Sequence, residues 1–185
     1  MTFESVTAAH YARTRKSPSS VCLVISDTTE IDYGYKSNRP GLGRLTASNR
    51  RGFFLHSALV VDSCDGQVIG LGAQELYTRS THKLDRVKVV KGCKRATESE
   101  VWGRLIDRVG VAGDRVRFIH VCDRGADNFD VFAHCVQQQS SWVIRAAQLS
   151  RKVKLEDGQI IKLKDLLDRT VVVGAYQVYV AANRK

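Results

Sequence analysis

Two strand-like apolar runs, each followed by an aspartate, constrain this chain more than any other feature. The runs are Val21–Ser26, followed by Asp27, and Val116–Cys122, followed by Asp123. A lone carboxylate is costly to bury, so an aspartate at the end of a core strand normally faces a cleft. Open α/β sheets bind their ligands at the carboxyl ends of their strands. The sequence therefore predicts an α/β fold with a ligand site between two strand ends.

Two carboxylates from separate strands predict a site for a hard divalent cation. Mg²⁺ and Mn²⁺ prefer carboxylate and water oxygens, whereas Zn²⁺ usually recruits His and Cys. A simpler interpretation fits each aspartate alone, because Asp is favoured in turns and at helix N-termini. A structural zinc site at His120 and Cys122 is the least favoured option, since two residues on one strand supply only half of a ligand set.

Apolar periodicity and turn residues predict the order β-β-β-α-β-α-β. Strands are expected at residues 20–27, 53–62, 67–77, 115–122 and 141–147, and helices at about 98–109 and 127–138. Asp65-Gly66 predicts a turn between the second and third strands. The first helix has one apolar face, formed by Val101, Trp102, Leu105, Ile106 and Val109. In the second helix, Phe129, Phe132, Cys135 and Val136 are expected to face inward. Residues 1–19 have the composition of a polar, basic lead-in. The pattern thus predicts one α/β core that follows this lead-in and ends near residue 149, where the pattern of apolar residues changes.

An excess of basic residues indicates a polyanionic partner. Lysine and arginine number 29 against 19 acidic residues, which gives a net charge of +10. A basic run between positions 79 and 95 includes Lys83, Arg86, Lys88 and Lys91. Double-stranded DNA is the expected partner, and a solvated basic surface is the alternative explanation. A membrane is not expected, because no segment approaches the roughly 20 apolar residues of a span.

Five cysteines without a Cys-x-x-Cys pair argue against a disulfide framework. Cys22 and Cys122 fall inside apolar strands, where a free cysteine packs as a small hydrophobic residue. Because disulfides are rare in the cytosol, this usage predicts a reduced, cytoplasmic protein.

The motifs around the two aspartates, taken in order, resemble those of one protein family. They are Asp27-Thr28-Thr29, Gly52–Leu59, Asp123-Arg124-Gly125-Ala126-Asp127 and Trp142–Ala146. In this order they resemble the catalytic core of bacterial insertion-sequence transposases of the DDE type. These are the cut-and-paste enzymes whose ribonuclease H-like core is interrupted by a β-rich insertion. The resemblance runs from about residue 5 to the end of the chain.

The resemblance implies an α/β fold, a ribonuclease H-like mixed five-stranded sheet with flanking helices, in which the first and fourth strands are neighbours. It divides the chain into a basic lead-in at 1–19, a catalytic core at 20–148 and the start of the β-rich insertion at 149–185. It also implies a bacterial, nucleoid-associated protein that binds transposon ends in double-stranded DNA. Whether the chain forms a homodimer in a synaptic complex stays open.

The implied chemistry is DNA strand cleavage and transfer by two-metal phosphoryl transfer. Asp27 and Asp123 would be the catalytic ligands of Mg²⁺ or Mn²⁺. Thr28, Arg124 and Asp127 would orient these two ligands without binding the metal themselves. The implied DNA-binding residues are Lys83, Arg86, Lys88, Lys91, Arg145 and Lys152.

One part of the family pattern does not occur in this sequence. The family's third acid is a glutamate in a Tyr-x-x-Arg-x-x-x-Glu-x-x-x-Lys helix, and no such string is found in the 185 residues. The late acids, Glu156, Asp157, Asp165 and Asp168, fall in the insertion-like part. We therefore expect this chain alone to be inactive. Two alternatives remain open: a non-catalytic DNA-binding transposase remnant, and a ribonuclease H-like nuclease or resolvase.

Overall fold

The computed structural model describes residues 2–16, 19–35, 39–47, 49–79, 98–175 and 177. The chain forms two compact units, Met1–Ala146 and Ala147–Lys185. The first unit contains the elements α1 (Phe3–Thr14), β1 (Val21–Tyr35), β2 (Gly43–Arg44), β3 (Arg50–Asp62), β4 (Val68–Tyr77), α2 (Glu98–Val109), β5 (Arg117–Cys122), α3 (Phe129–Gln137) and β6 (Ser141–Ile144). A short 3₁₀-helix, Arg124–Ala126, lies between β5 and α3.

A mixed sheet of six strands forms the centre of the first unit. β1 pairs antiparallel with β3 on one side and parallel with β5 on the other, and β6 continues the parallel part beyond β5. β2 and β4 both pair antiparallel with β3. The first and fourth predicted strands, β1 and β5, are therefore neighbours, as expected. The short strand β2 makes the count six rather than five.

Helix α2 fills the core on one face of this sheet. Its predicted apolar face is buried throughout: Val101, Trp102, Leu105, Ile106 and Val109. Leu105 and Val109 pack with side chains of the sheet, and Trp102 and Ile106 pack with side chains of α3. The spacing of apolar residues in the sequence thus predicted both the helix and the face that it buries.

Strand β1 is longer than predicted, so Asp27 lies inside the strand and not at its end. The parallel pairing with β5 ends at Ser26, but the antiparallel pairing with β3 continues as far as Tyr35. The polar residues after Ser26 predicted a strand end, and this prediction is wrong. A backbone ladder with β3 satisfies the N–H and C=O groups whatever the polarity of the side chains.

The lead-in contains a helix, α1, where the sequence predicted only a polar segment. Thr2 caps it, because its side chain accepts a hydrogen bond from the Ser5 N–H at 3.1 Å and Ser5 Oγ accepts one from the Thr2 N–H at 3.0 Å. The backbone N–H of Leu71 on β4 donates to His10 Nε2 at 3.1 Å. α1 thereby covers part of a sheet edge.

Helix α3 begins later than predicted and presents a partly different face to the core. Asn128 caps it by accepting a hydrogen bond from the Val131 N–H at 2.9 Å. Its buried residues are Val131 and Cys135, whereas Phe129 and Val136 are 69% and 64% exposed. The prediction that these last two side chains face inward is wrong. The expectation that Cys135 faces inward is confirmed. Val131 and Cys135 pack with Trp102 and Ile106 of α2, and this contact with a distant helix decides which face of α3 is buried.

The second unit contains a β-hairpin, β7 (Lys152–Lys154) with β8 (Ile160–Lys162), followed directly by α4 (Leu163–Arg169). The hairpin turn is closed by the Leu155 N–H, which donates to the Gln159 carbonyl at 2.8 Å. Gly158 in this turn has a φ of +85°, a conformation that favours glycine. In the described ranges of the whole chain, no helix combines the length and the apolar character needed to cross a membrane.

We expect thiol reagents to modify Cys64 much faster than the three core cysteines. Cys64 is exposed, whereas Cys22, Cys122 and Cys135 are buried. Burial raises the pKa of Cys122 to about 12 and that of Cys135 to about 11, so their reactive thiolates are scarce at neutral pH.

Reaction kinetics with a chromogenic disulfide reagent measure this difference. A Cys93→Ser background removes the cysteine that lies outside the described residues. One fast thiol and three that react only on unfolding are expected. Two or more fast thiols would contradict the described core.

Candidate active site

The two predicted aspartates follow the same rung of the sheet. Ser26 on β1 is paired with Cys122 on β5, and this is the last pair of their parallel ladder. Asp27 and Asp123 are the next residues on each side. Because neighbouring strands lie about 4.8 Å apart, the fold brings the backbones of the two aspartates together at one end of the ladder. Both side chains are exposed.

Each aspartate also makes one local hydrogen bond. Asp27 Oδ1 accepts the backbone N–H of Thr28 at 2.7 Å. Asp123 Oδ1 accepts the backbone N–H of Gly125 at 2.7 Å and caps the 3₁₀-helix. The capping interpretation therefore holds for Asp123. A carboxylate has about four acceptor positions on two oxygens, so one such bond leaves capacity for a cation.

A buried histidine that the sequence analysis did not single out lies beside this pair. His56 on β3 is 0% exposed, and its Nδ1 lies 2.7 Å from Thr28 Oγ1. Burial lowers the pKa of His56 to about 4, while the negative charges of Asp27, Glu75 and Asp123 act in the opposite direction. The sequence signal was the position of His56, which alternates with the buried Phe54 and Ala58.

Glu75 on β4 is the third carboxylate of this neighbourhood. It is paired in register with His56 and is buried. Arg104 Nε lies 2.5 Å from Glu75 Oε1, and Arg108 Nε lies 3.3 Å from Oε2. Since two arginines of α2 already neutralise this carboxylate, Glu75 functions as the centre of an ion-pair cluster between the sheet and α2.

The donor set suits a hard cation but is incomplete. Asp27 and Asp123 offer oxygen ligands, as Mg²⁺ and Mn²⁺ prefer. In the described part of the chain, no group of three or more His, Cys, Asp or Glu side chains is arranged to hold a metal ion. The predicted zinc alternative is not favoured either, because both Cys122 and His120 are buried in the core.

The residues predicted to support the aspartates are adjacent to them in the fold. Thr28 contacts His56, as described above. Arg124 lies in the 3₁₀-helix with an exposed side chain, and Asp127 ends that helix with a buried side chain. The Asp127 N–H donates to the Arg124 carbonyl at 3.3 Å.

A cleft of about 310 Å³ opens next to the aspartates. Its lining includes Thr28, which follows Asp27, and Gly125, which binds Asp123; the other lining residues are Glu30, Thr46, Phe54, Tyr77, Arg79 and Trp102. The Arg79 guanidinium lies 4.5 Å from the centre of the Phe54 ring and donates to Thr46 Oγ1 at 3.3 Å. The cleft therefore combines aromatic surface with a cation, hydroxyl groups and the carboxylate of Glu30.

The predicted DNA-binding residues divide into three groups. Lys83, Arg86, Lys88 and Lys91 lie outside the described residues. Arg145 directly follows β6 in the first unit, where its N–H donates to the Cys122 carbonyl at 3.2 Å and its side chain is exposed. Lys152 is exposed on β7 of the second unit.

Similarity to known proteins is found at the level of structure. No family model matches the sequence, and no curated protein matches it. A cryo-EM structure of the piggyBac transposase synaptic complex with hairpin DNA is similar with a TM-score of 0.40 and 13% sequence identity. The similarity covers 76% of this chain and 26% of that one. The chain thus matches about a quarter of the neighbour's length.

Proposed function

We propose that this chain is part of the catalytic core of a DDE-type DNA transposase with a ribonuclease H-like fold. The observation that supports this most is the placement of Asp27 and Asp123 after the same rung of two parallel strands in a mixed sheet. The excess of basic residues supports DNA as the partner.

In this proposal Asp27 and Asp123 hold Mg²⁺ or Mn²⁺ near a DNA phosphodiester. A bound divalent ion would activate the attacking oxygen and stabilise the leaving oxygen in an in-line displacement. Asp123 is oriented by the Gly125 N–H and Asp27 by the Thr28 N–H, so the two carboxylates are pre-positioned by backbone donors. Arg145, exposed beyond β6, would pair with a phosphate.

A second candidate function is DNA binding without cleavage. It is favoured by one observation: the described residues do not supply a third metal-binding carboxylate beside Asp27 and Asp123, since Glu75 is held by Arg104 and Arg108. A nuclease or resolvase of the same fold would need such an acid near the core strands, so it ranks below both.

We expect Mn²⁺ to bind weakly and to depend on both aspartates. Two carboxylates hold a hard cation poorly without substrate phosphates. Titration of the chain with Mn²⁺, followed by electron paramagnetic resonance, should show binding that Asp27→Asn or Asp123→Asn abolishes. Asp65→Asn is the matched control, because Asp65 is an exposed aspartate whose Oδ1 accepts the Gln67 N–H at 2.9 Å, as Asp123 does for Gly125. Unchanged binding in both site variants would place the ion elsewhere and sink the proposal.

We expect duplex DNA binding to be largely independent of sequence and to weaken with salt. Each phosphate contact contributes about 0.9 to the slope of log affinity against log salt. Replacing Lys83, Arg86, Lys88 and Lys91 by glutamine should reduce this slope by roughly 3 to 4. Replacing Arg13, Arg15 and Lys16 of the first segment should reduce it less, and fluorescence anisotropy at several salt concentrations measures both.

A cleavage assay tests the non-catalytic candidate. Purified residues 1–185 should bind but not cut DNA, because the third acid is missing. Metal-dependent strand scission that is lost in Asp123→Asn would show that a local acid replaces it, and would reject the non-catalytic candidate.

A further inference from the structure

We propose that His56 is a positioning residue for the Asp27 carboxylate and acts through Thr28. This inference rests on the proposed role of Asp27 as a metal ligand. It assigns a function to a buried side chain that the chemistry at the two aspartates does not otherwise use.

A continuous series of contacts joins the imidazole to the carboxylate. Thr28 and His56 are direct cross-strand partners of β1 and β3. His56 Nδ1 lies 2.7 Å from Thr28 Oγ1, and the Thr28 backbone N–H donates to Asp27 Oδ1 at 2.7 Å. The threonine is therefore held on its side-chain end by the imidazole while its N–H orients the aspartate.

The imidazole is itself fixed from two sides. Its ring lies 4.3 Å from the ring of Trp102 on α2, in an edge-on arrangement with an interplanar angle of 73°. On the far side of β3, Glu75 is paired with His56 in register, and Arg104 and Arg108 tie Glu75 to α2. A site built on strands and locked by a packed helix holds its ligands more precisely than one built on a loop.

Filling space does not require a histidine at this position. His56 Nε2 is buried and has no hydrogen-bond partner among the described residues, which is a cost that an apolar side chain would avoid. The polar group that is used is Nδ1, toward Thr28. His120 on β5 provides the comparison: it is equally buried, and neither of its nitrogens has a partner in the described part of the chain. The contact to Thr28 is what distinguishes the two histidines.

The test compares variants that keep or remove the contact. His56→Asn retains a polar atom near the position of Nδ1 and Thr28→Ser retains the hydroxyl, whereas His56→Leu and Thr28→Val remove the two groups. Groups that orient metal ligands typically contribute 10- to 100-fold to metal affinity. We expect His56→Leu and Thr28→Val each to weaken Mn²⁺ binding by about tenfold, and His56→Asn and Thr28→Ser to restore most of it.

Two further measurements separate positioning from general stability. The double variant His56→Leu/Thr28→Val should bind Mn²⁺ no more weakly than either single variant, because both changes break the same contact. Hydrogen exchange at the Thr28 amide should accelerate in His56→Leu and Thr28→Val without any metal present. His120→Leu is the matched control for loss of a buried imidazole, and it should alter neither Mn²⁺ affinity nor exchange at Thr28.

The outcomes distinguish this inference from the function on which it rests. If Asp27→Asn abolishes Mn²⁺ binding and both His56→Leu and Thr28→Val leave it unchanged, the positioning role is wrong and the proposed function stands. If Asp27→Asn leaves Mn²⁺ binding unchanged, the proposed function is wrong and the positioning role falls with it. Equal weakening by His56→Leu and His120→Leu would also overturn the positioning role. Thr28→Val carries the test by itself if His56→Leu does not fold.

Discussion

The free energy of unfolding is expected to fall by about 3 kcal/mol between pH 6.5 and pH 4 because of His120 alone. Burial lowers the pKa of His120 from 6.5 to about 4. In this window the unfolded chain binds a proton at His120 that the folded chain does not bind. The contribution of the neutral imidazole is therefore complete above pH 6.5 and is lost as the pH falls toward 4. His56, whose pKa is also lowered to about 4, adds a loss of the same sign.

Urea unfolding of the wild type and of His120→Leu at pH 7, 5.5 and 4.5 measures this contribution. Leucine has a similar volume, and it removes two buried nitrogens that have no hydrogen-bond partner among the described residues. The variant should be at least as stable as the wild type at pH 7. The free energy of unfolding of the variant should depend less steeply on pH. The difference in slope should correspond to at most one fewer proton bound on unfolding across this window. Equal slopes for the two proteins would show that His120 is protonated in the folded state, contrary to its burial.

The parts of the fold that the sequence predicted correctly depend on local patterns. The apolar face of α2 repeats at helical spacing, and each of its members is buried. The turn at Asp65-Gly66 between β3 and β4 is also local: the Gly66 N–H donates to the Asp62 carbonyl at 3.0 Å, and Gly66 has a φ of +74°. In both cases the information lies within a dozen residues, so one sequence is enough to find it.

The errors occurred where distant residues decide the structure. Residues 28–35 continue as a strand because β3 is beside them, and their own polarity gives no sign of that partner. α1 has no clear apolar stripe, and its position depends on the hydrogen bond that the Leu71 N–H of β4 donates to His10 Nε2. The ion-pair cluster at Glu75 joins residues from β4 and α2, which are far apart in the sequence, so no local motif predicts it. His56 lies between the buried Phe54 and Ala58 on the same face of β3, but no local pattern indicates its contact with Thr28.

The candidate site follows the same division. The sequence placed Asp27 and Asp123 each after an apolar run that forms a core strand, and the family resemblance implied that these two strands are neighbours. It placed Thr28, Arg124 and Asp127 by adjacency along the chain, which the fold preserves. What it could not provide was the neighbourhood across the sheet, where an imidazole and an arginine-bound glutamate lie beside the two aspartates.

Replacing Gly52 by alanine is expected to destabilise the protein by about 3 kcal/mol. Gly52 on β3 is paired with Asp32 of β1 and also with Gly43 of β2. A methyl group at this position would overlap the backbone carbonyl oxygen of Ile31 and lie 3.1 Å from Leu45 Cδ1. Since the overlapped atom belongs to the backbone, a rotamer change cannot relieve the clash, and β1 must move away from β3.

The loss should be concentrated in the part of β1 that follows Asp27. Amide exchange should accelerate across residues 28–32, which depend on the ladder near Gly52, while residues 22–26 remain protected between β3 and β5. Gly113→Ala is the matched control, because an added methyl there meets no atom within 4 Å and the loop lies at the surface; its stability should be unchanged or slightly higher. If Gly52→Ala is as stable as Gly113→Ala, the close approach of β3 to Ile31 is wrong. The pairing of β1 with β3 beyond Asp27 would then be in doubt, and with it the contact between Thr28 and His56.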